Sequence, residues 1–174
     1  TINVNVPVSS ISLNKTSLSL KENESFTFEP TVLPINATNK KVEWSVDNEE
    51  LASISDDGEI FAKKKGHVVV TCSSFAYKDI TTTCEVDIIK PVESISLNKS
   101  VLNLDVNQKD TLIATVLPSD ATSLDVKWES SNNDIASISE SGLVTAKKKG
   151  TCKIICTVLS DANKKAECDI NVYL

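Results

Sequence analysis

Apolar and polar residues alternate with a period of two over runs of about five to ten residues, the pattern of strands that bury one face. The alternation predicts strands at 8–13, 18–20, 24–33, 41–46, 51–55, 59–62, 67–75 and 80–89, and the same series 84 residues later. No stretch carries the 3.6-residue period of an amphipathic helix. Turn residues separate the runs: Pro34 to Asn39, then Asp56-Asp57-Gly58, then Lys63-Lys64-Lys65-Gly66, each rich in the types that favour tight turns. Short strands punctuated in this way predict an all-β fold of antiparallel β-sandwiches.

The chain of 174 residues aligns with itself at a shift of 84 without a gap. Its four glycines form shifted pairs, Gly58 with Gly142 and Gly66 with Gly150, and its two tryptophans pair as Trp44 with Trp128. A duplication of this kind predicts two tandem domains, 7–90 and 91–174, each large enough for a modest core. Residues 1–6 place Ile2 and Val4 where Val86 and Ile88 close a repeat, so they read as the end of a preceding one. The expected core consists of inward positions that stay apolar in both copies. These are Ile11/Ile95, Leu13/Leu97, Leu18/Leu102, Leu20/Leu104, Val32/Val116, Val42/Val126, Trp44/Trp128, Ile54/Ile138 and Ala62/Ala146. The join Ile89-Lys90-Pro91-Val92 has no glycine, which predicts a stiff junction between neighbouring repeats.

Charge and composition narrow the function. A net charge of −6 argues against nucleic acid or anionic lipid as a partner. The apolar runs are too short for membrane insertion. The one histidine, His67, stands opposite Thr151 in the second copy, so neither repeat has the residues for a histidine metal site or a serine–histidine relay. The sequence therefore calls for no enzyme activity, no cofactor and no metal.

Cysteine is the most informative residue type. Cys72 and Cys84 recur as Cys156 and Cys168, and Cys152 replaces Val68. All five share the parity of Val70, Val86 and Ile88 and are expected on the buried face. One reading makes them free thiols that pack as small hydrophobes. The other bridges Cys72 to Cys84 and Cys156 to Cys168 within each final hairpin. Turns centred at Lys78 and Ala162 would put the partners opposite one another, within disulfide reach. The lysine run reads as a solvated turn or as a cationic spot for an acidic polymer, and the acidic turn at Asp56 loses its carboxylates in the second copy. Exposed differences between the copies are the candidate partner contacts: Phe61 against Thr145, and Phe75 and Tyr77 at a hairpin tip where the second copy has Leu159 and Asp161. Aromatic rings at such places either anchor a sugar or protein partner or cover the end of a sandwich.

The ordered set of motifs at Val8 to Lys15, Thr31 to Thr38, Val42 to Trp44, Ala52 to Ser55, Gly58 to Gly66 and Cys84, repeated in the second half, resembles the bacterial Ig-like group 2 (Big-2) family. The resemblance implies two tandem immunoglobulin-like sandwiches and a non-catalytic role. It implies an extracellular or bacterial cell-surface location, where such repeats act as spacers and as adhesion or glycan-binding modules. Bacteriophage virions and secreted glycosidases are the alternative settings. The implied partners are adjacent repeats of the same chain and a cell-surface glycan or host protein.

Overall fold

The computed structural model describes residues 4–174. The chain divides into two compact units, Thr1–Lys90 and Pro91–Leu174. Of the expected remnant at 1–6, residues 1–3 lie outside the described residues. Residues 4–6 are not in a strand, and Val6 exchanges hydrogen bonds with Thr38, at 2.8 Å to its hydroxyl and 2.9 Å from its backbone N–H.

Among the described residues the first unit has nine strands: β1 (Ser10–Leu13), β2 (Ser17–Lys21), β3 (Ser25–Thr27), β4 (Pro30–Leu33), β5 (Val42–Val46), β6 (Ala52–Ile54), β7 (Glu59–Ala62), β8 (Gly66–Ser74) and β9 (Thr81–Ile89). A four-stranded sheet in the order β2-β9-β8-β5 packs against a three-stranded sheet β3-β7-β6, and β1 pairs with β4. The second unit repeats the plan with β10 (Ser94–Leu97), β11 (Val101–Asp105), β12 (Lys109–Thr111), β13 (Ala114–Leu117), β14 (Val126–Ser130), β15 (Ala136–Ile138), β16 (Leu143–Ala146), β17 (Gly150–Val158) and β18 (Asp161–Tyr173). Its sheets are β11-β18-β17-β14, β12-β16-β15 and β10-β13. Each unit is thus an immunoglobulin-like sandwich. One pair per unit departs from the antiparallel rule: β2 runs parallel to β9, and β11 to β18.

The single strand expected at 24–33 is two strands in different sheets. Phe28 interrupts it: its ring is buried and its N–H donates to Gly58 O at 2.9 Å. Asn14 then takes the Glu29 N–H on its side-chain oxygen at 3.2 Å, and Pro30 has no N–H to continue a ladder. The second unit makes the same crossing with Asn98, whose side chain accepts the Ile113 N–H at 2.8 Å.

Every inward pair expected from the two copies lies in or against a hydrophobic cluster of its unit. The inner faces of β8 and β9 form the floor, with Val68, Val70, Cys72, Cys84 and Val86 fully buried. Trp44 packs against both clusters of the first unit and stacks on Phe28 with ring centroids 5.7 Å apart.

One glycine holds the turn beneath each tryptophan. Gly58 and Gly142 adopt φ of 81° and 82°, a region that side chains disfavour. A Cβ on Gly58 would meet Trp44 Cζ2 at 2.7 Å, and one on Gly142 would meet the Leu112 carbonyl oxygen at 2.3 Å. An indole edge can shift slightly, but the Leu112 carbonyl is backbone, held next to Gly142 by the Leu112 N–H bond to Gly142 O at 2.9 Å. Replacing either glycine by alanine is therefore expected to lower unfolding free energy by about 1–3 kcal/mol, with Gly142→Ala the more damaging. Urea denaturation of the two variants checks this, and equal stability to wild type would contradict it.

Candidate functional site

The two repeats differ in the tip of their last hairpin, β8–β9 in the first and β17–β18 in the second. Ser74 has the inward parity of β8 and is buried, so its hydroxyl needs a partner. It accepts the Tyr77 N–H at 3.2 Å, while the Ser74 and Ile80 N–H groups close the loop on Ile80 O and Tyr77 O. The second unit has Val158 at this place and needs no such bond. Its chain turns back at once, pairing Val158 with Asp161 after a register shift at Thr157. Ser74 is a determinant the sequence reading passed over; the signal was a serine at an inward position of a strand.

The longer loop displays Phe75. Its ring is 44% exposed, with Lys41 Nζ 4.7 Å and Lys78 Nζ 5.0 Å from the centroid. The Phe75 N–H donates to Lys41 O at 2.9 Å, and Lys78 pairs with Glu43. Two ammonium groups over one ring are held by its quadrupole. Tyr77 behaves differently. It is half-buried against the cluster of Val8, Ile11, Ala37 and Cys72, and its hydroxyl lies 3.3 Å from Asn5 Nδ2. Phe61 is 40% exposed on the outer face of β7, paired with Ser25 and Ser53. The structure therefore does not gather the three aromatic residues: Phe75 stands at the tip, Phe61 on the opposite sheet, and Tyr77 covers the core.

The five cysteines are buried free thiols. The expected opposition within each hairpin is not what the register gives. Cys72 faces Thr82 and Cys84 faces Val70; Cys156 faces Ala166 and Cys168 faces Ile154. The first turn is centred on Tyr77 and not on Lys78, and moving a hairpin's centre by one residue moves every partner by two. The side chains keep their face and lose their opposition. Burial pushes the Cys72 and Cys156 thiols up to about 11 and raises those of Cys84, Cys152 and Cys168, so little nucleophilic thiolate forms at neutral pH. In Ellman assays without reductant the native chain should react slowly, and the denatured chain should release five thiols. A count of three or one would place a bridge in the hairpins.

The outer face of β8 and β9 carries an ion cluster. His67 Nδ1 lies 2.7 Å from Asp87 Oδ1, and Nε2 lies 2.7 Å from Glu85 Oε2. Both acceptors are carboxylates, so both ring nitrogens donate and the charged imidazolium is favoured. The hydrogen bond to Asp87, then that to Glu85, raises the His67 pKa above 6.5. In the second unit the cation has moved two residues along the strand: Lys153 Nζ lies 2.7 Å from Glu167 and 3.8 Å from Asp169. A group whose folded pKa is raised adds stability below its unfolded value and loses it as pH climbs through the folded one. His67 should titrate by NMR with a midpoint above 6.5, and the wild-type advantage over His67→Gln should fade as pH rises through that midpoint. A midpoint below 6.5 would contradict the geometry.

The lysine turn is tied to the loop before β6: the N–H groups of Lys63 and Lys64 both donate to Leu51 O, at 2.8 and 3.1 Å, and Lys63 Nζ reaches Glu49 O at 2.9 Å. Among the described residues no group of three His, Cys, Asp or Glu side chains is disposed to hold a metal ion.

Comparison with known proteins agrees with this architecture. The chain is 34% identical over 169 residues to an uncharacterized protein of Clostridium acetobutylicum, covering 97% of this chain and 17% of that one. It is 27% identical over 171 residues to the Ig-like virion protein of Serratia phage KSP90, covering 96% of this chain and 66% of that one. Among solved structures, immunoglobulin domains 1–4 of Sidekick-1 superpose with a TM-score of 0.57 at 10% identity, over 99% of this chain and 51% of that one, a likeness of fold alone. The model of the Bacterial Ig-like domain (group 2) family matches residues 7–82 and again 91–170, and the chain belongs to that family, twice over.

Proposed function

We propose that the chain is a non-catalytic pair of repeats from a bacterial extracellular or cell-surface protein, serving as a spacer and offering the tip of its first repeat as an adhesive contact. One observation carries this reading. Sheet order, the crossing between sheets and the glycine turns recur in both copies, while the hairpin tip differs and in the first copy holds a ring that the fold does not bury. Such a ring can stack on a sugar or seat in a protein pocket. The reading needs no cofactor; its partners are neighbouring repeats and a surface glycan or host protein. It draws support from family membership and from the long relative of which this chain covers 17%.

Decoration of a phage virion is the second reading. The likeness to the Ig-like virion protein favours it, and buried free thiols suit a protein that folds in a reducing cytoplasm. Antibody against the chain separates the two: it labels intact producing cells in the first case and purified particles in the second. For the adhesive contact, binding on a glycan array or to host-cell surfaces should fall at least about tenfold in Phe75→Ala and stay unchanged in Leu159→Ala. Equal loss in both variants, or no binding by wild type, would remove the adhesive part.

A further inference from the structure

β5 is an end strand of the first unit's four-stranded sheet, and hydrogen bonding decides which of its groups are spare. The Phe75 N–H donates to Lys41 O at 2.9 Å and the Asp47 N–H to Val69 O at 3.2 Å. Between them Glu43 pairs with Ser73 and Ser45 with Thr71. Alternation thus gives 41, 43, 45 and 47 to β8 and turns the N–H and C=O groups of Val42, Trp44 and Val46 to the open side. A groove follows that side as two consecutive cavities. One of about 510 Å³ lies beside Val42 and Glu43 and reaches Asp56 and Asp57. The other, of about 250 Å³, lies beside Trp44 and Val46 and reaches Ile54.

Charge is divided along this strand. Lys40 and Lys41 precede it, and Asp47, Glu49 and Glu50 follow it. Lysine on an edge ordinarily discourages pairing. Here the opposite end of the same strand is acidic, so an antiparallel copy related by a two-fold axis at Trp44 sets Lys41 across from Asp47 and Val42 across from Val46. Cross-strand pairs of these kinds are favourable, and the spare backbone groups find partners. The corresponding strand β14 lacks the division: Asp125 precedes it and Asp134 follows it, while Lys127 and Glu129 bond one another at 2.8 Å.

We propose that the first repeat associates with a second copy of this chain through β5, antiparallel about Trp44, joining two four-stranded sheets into one of eight. The test is sedimentation velocity of the full 174-residue chain with a charge exchange. Wild type should dimerise with rising concentration below about 1 mM. Lys41→Glu and Asp47→Lys should each associate at least about tenfold more weakly. An equal mixture of the two should regain wild-type association, because both ends of the mixed pair are then of opposite charge. In the dimer, amide exchange at Val42, Trp44 and Val46 should slow. Circular dichroism confirms that each variant is folded. A wild type that stays monomeric to about 1 mM overturns the proposal. So do variants that dimerise like wild type, and so does a mixture of folded variants that fails to recombine.

Discussion

The contact between a bare glycine and a tryptophan ring keys each sandwich together. In the first repeat Trp44 belongs to the four-stranded sheet, Gly58 to the turn between β6 and β7 of the three-stranded sheet, and Phe28 to the crossing between β3 and β4. The glycine lets the turn come so close that a Cβ on it would lie 2.7 Å from the indole Cζ2. With that approach the Gly58 carbonyl reaches the Phe28 N–H, Phe28 is buried, and the chain changes sheet. A domain of this size has little apolar area in reserve, so it depends on such close approaches more than on bulk.

Much of this was legible in the order of residues. Alternation located most strands, and comparing the copies isolated the inward set, because inward positions tolerate little change while outward ones drift. What alternation could not show was pairing. Residues 24–33 keep their parity through Phe28, so the crossing between sheets leaves no break in the pattern; its marks are Asn14 and Pro30, whose roles are hydrogen-bond capture and a missing donor. The parallel pairing of β2 with β9 is equally invisible to periodicity, since parity is the same for either direction.

The surface was harder to read for a physical reason. A side chain's exposure depends on what its neighbours need, and Tyr77 and Phe75 are two residues apart with opposite fates. Tyr77 is drawn in because its N–H satisfies the buried Ser74 hydroxyl, which leaves Phe75 outside beside Lys41 and Lys78. The His67 cluster was hidden likewise, since Glu85 and Asp87 are distant in sequence and meet His67 only through the hairpin register.

The two-residue step of that register also insulates the core from the tip. A turn can slide by one position, or open from the abrupt reversal at Val158 to the six-residue loop after Ser74, while every side chain below keeps its face. Parity works as a ratchet whose teeth preserve burial. Tips can therefore diversify from copy to copy while the paired thiols and the tryptophan stay where they are, and a chain of such repeats can carry many different ends on one kind of apolar interior.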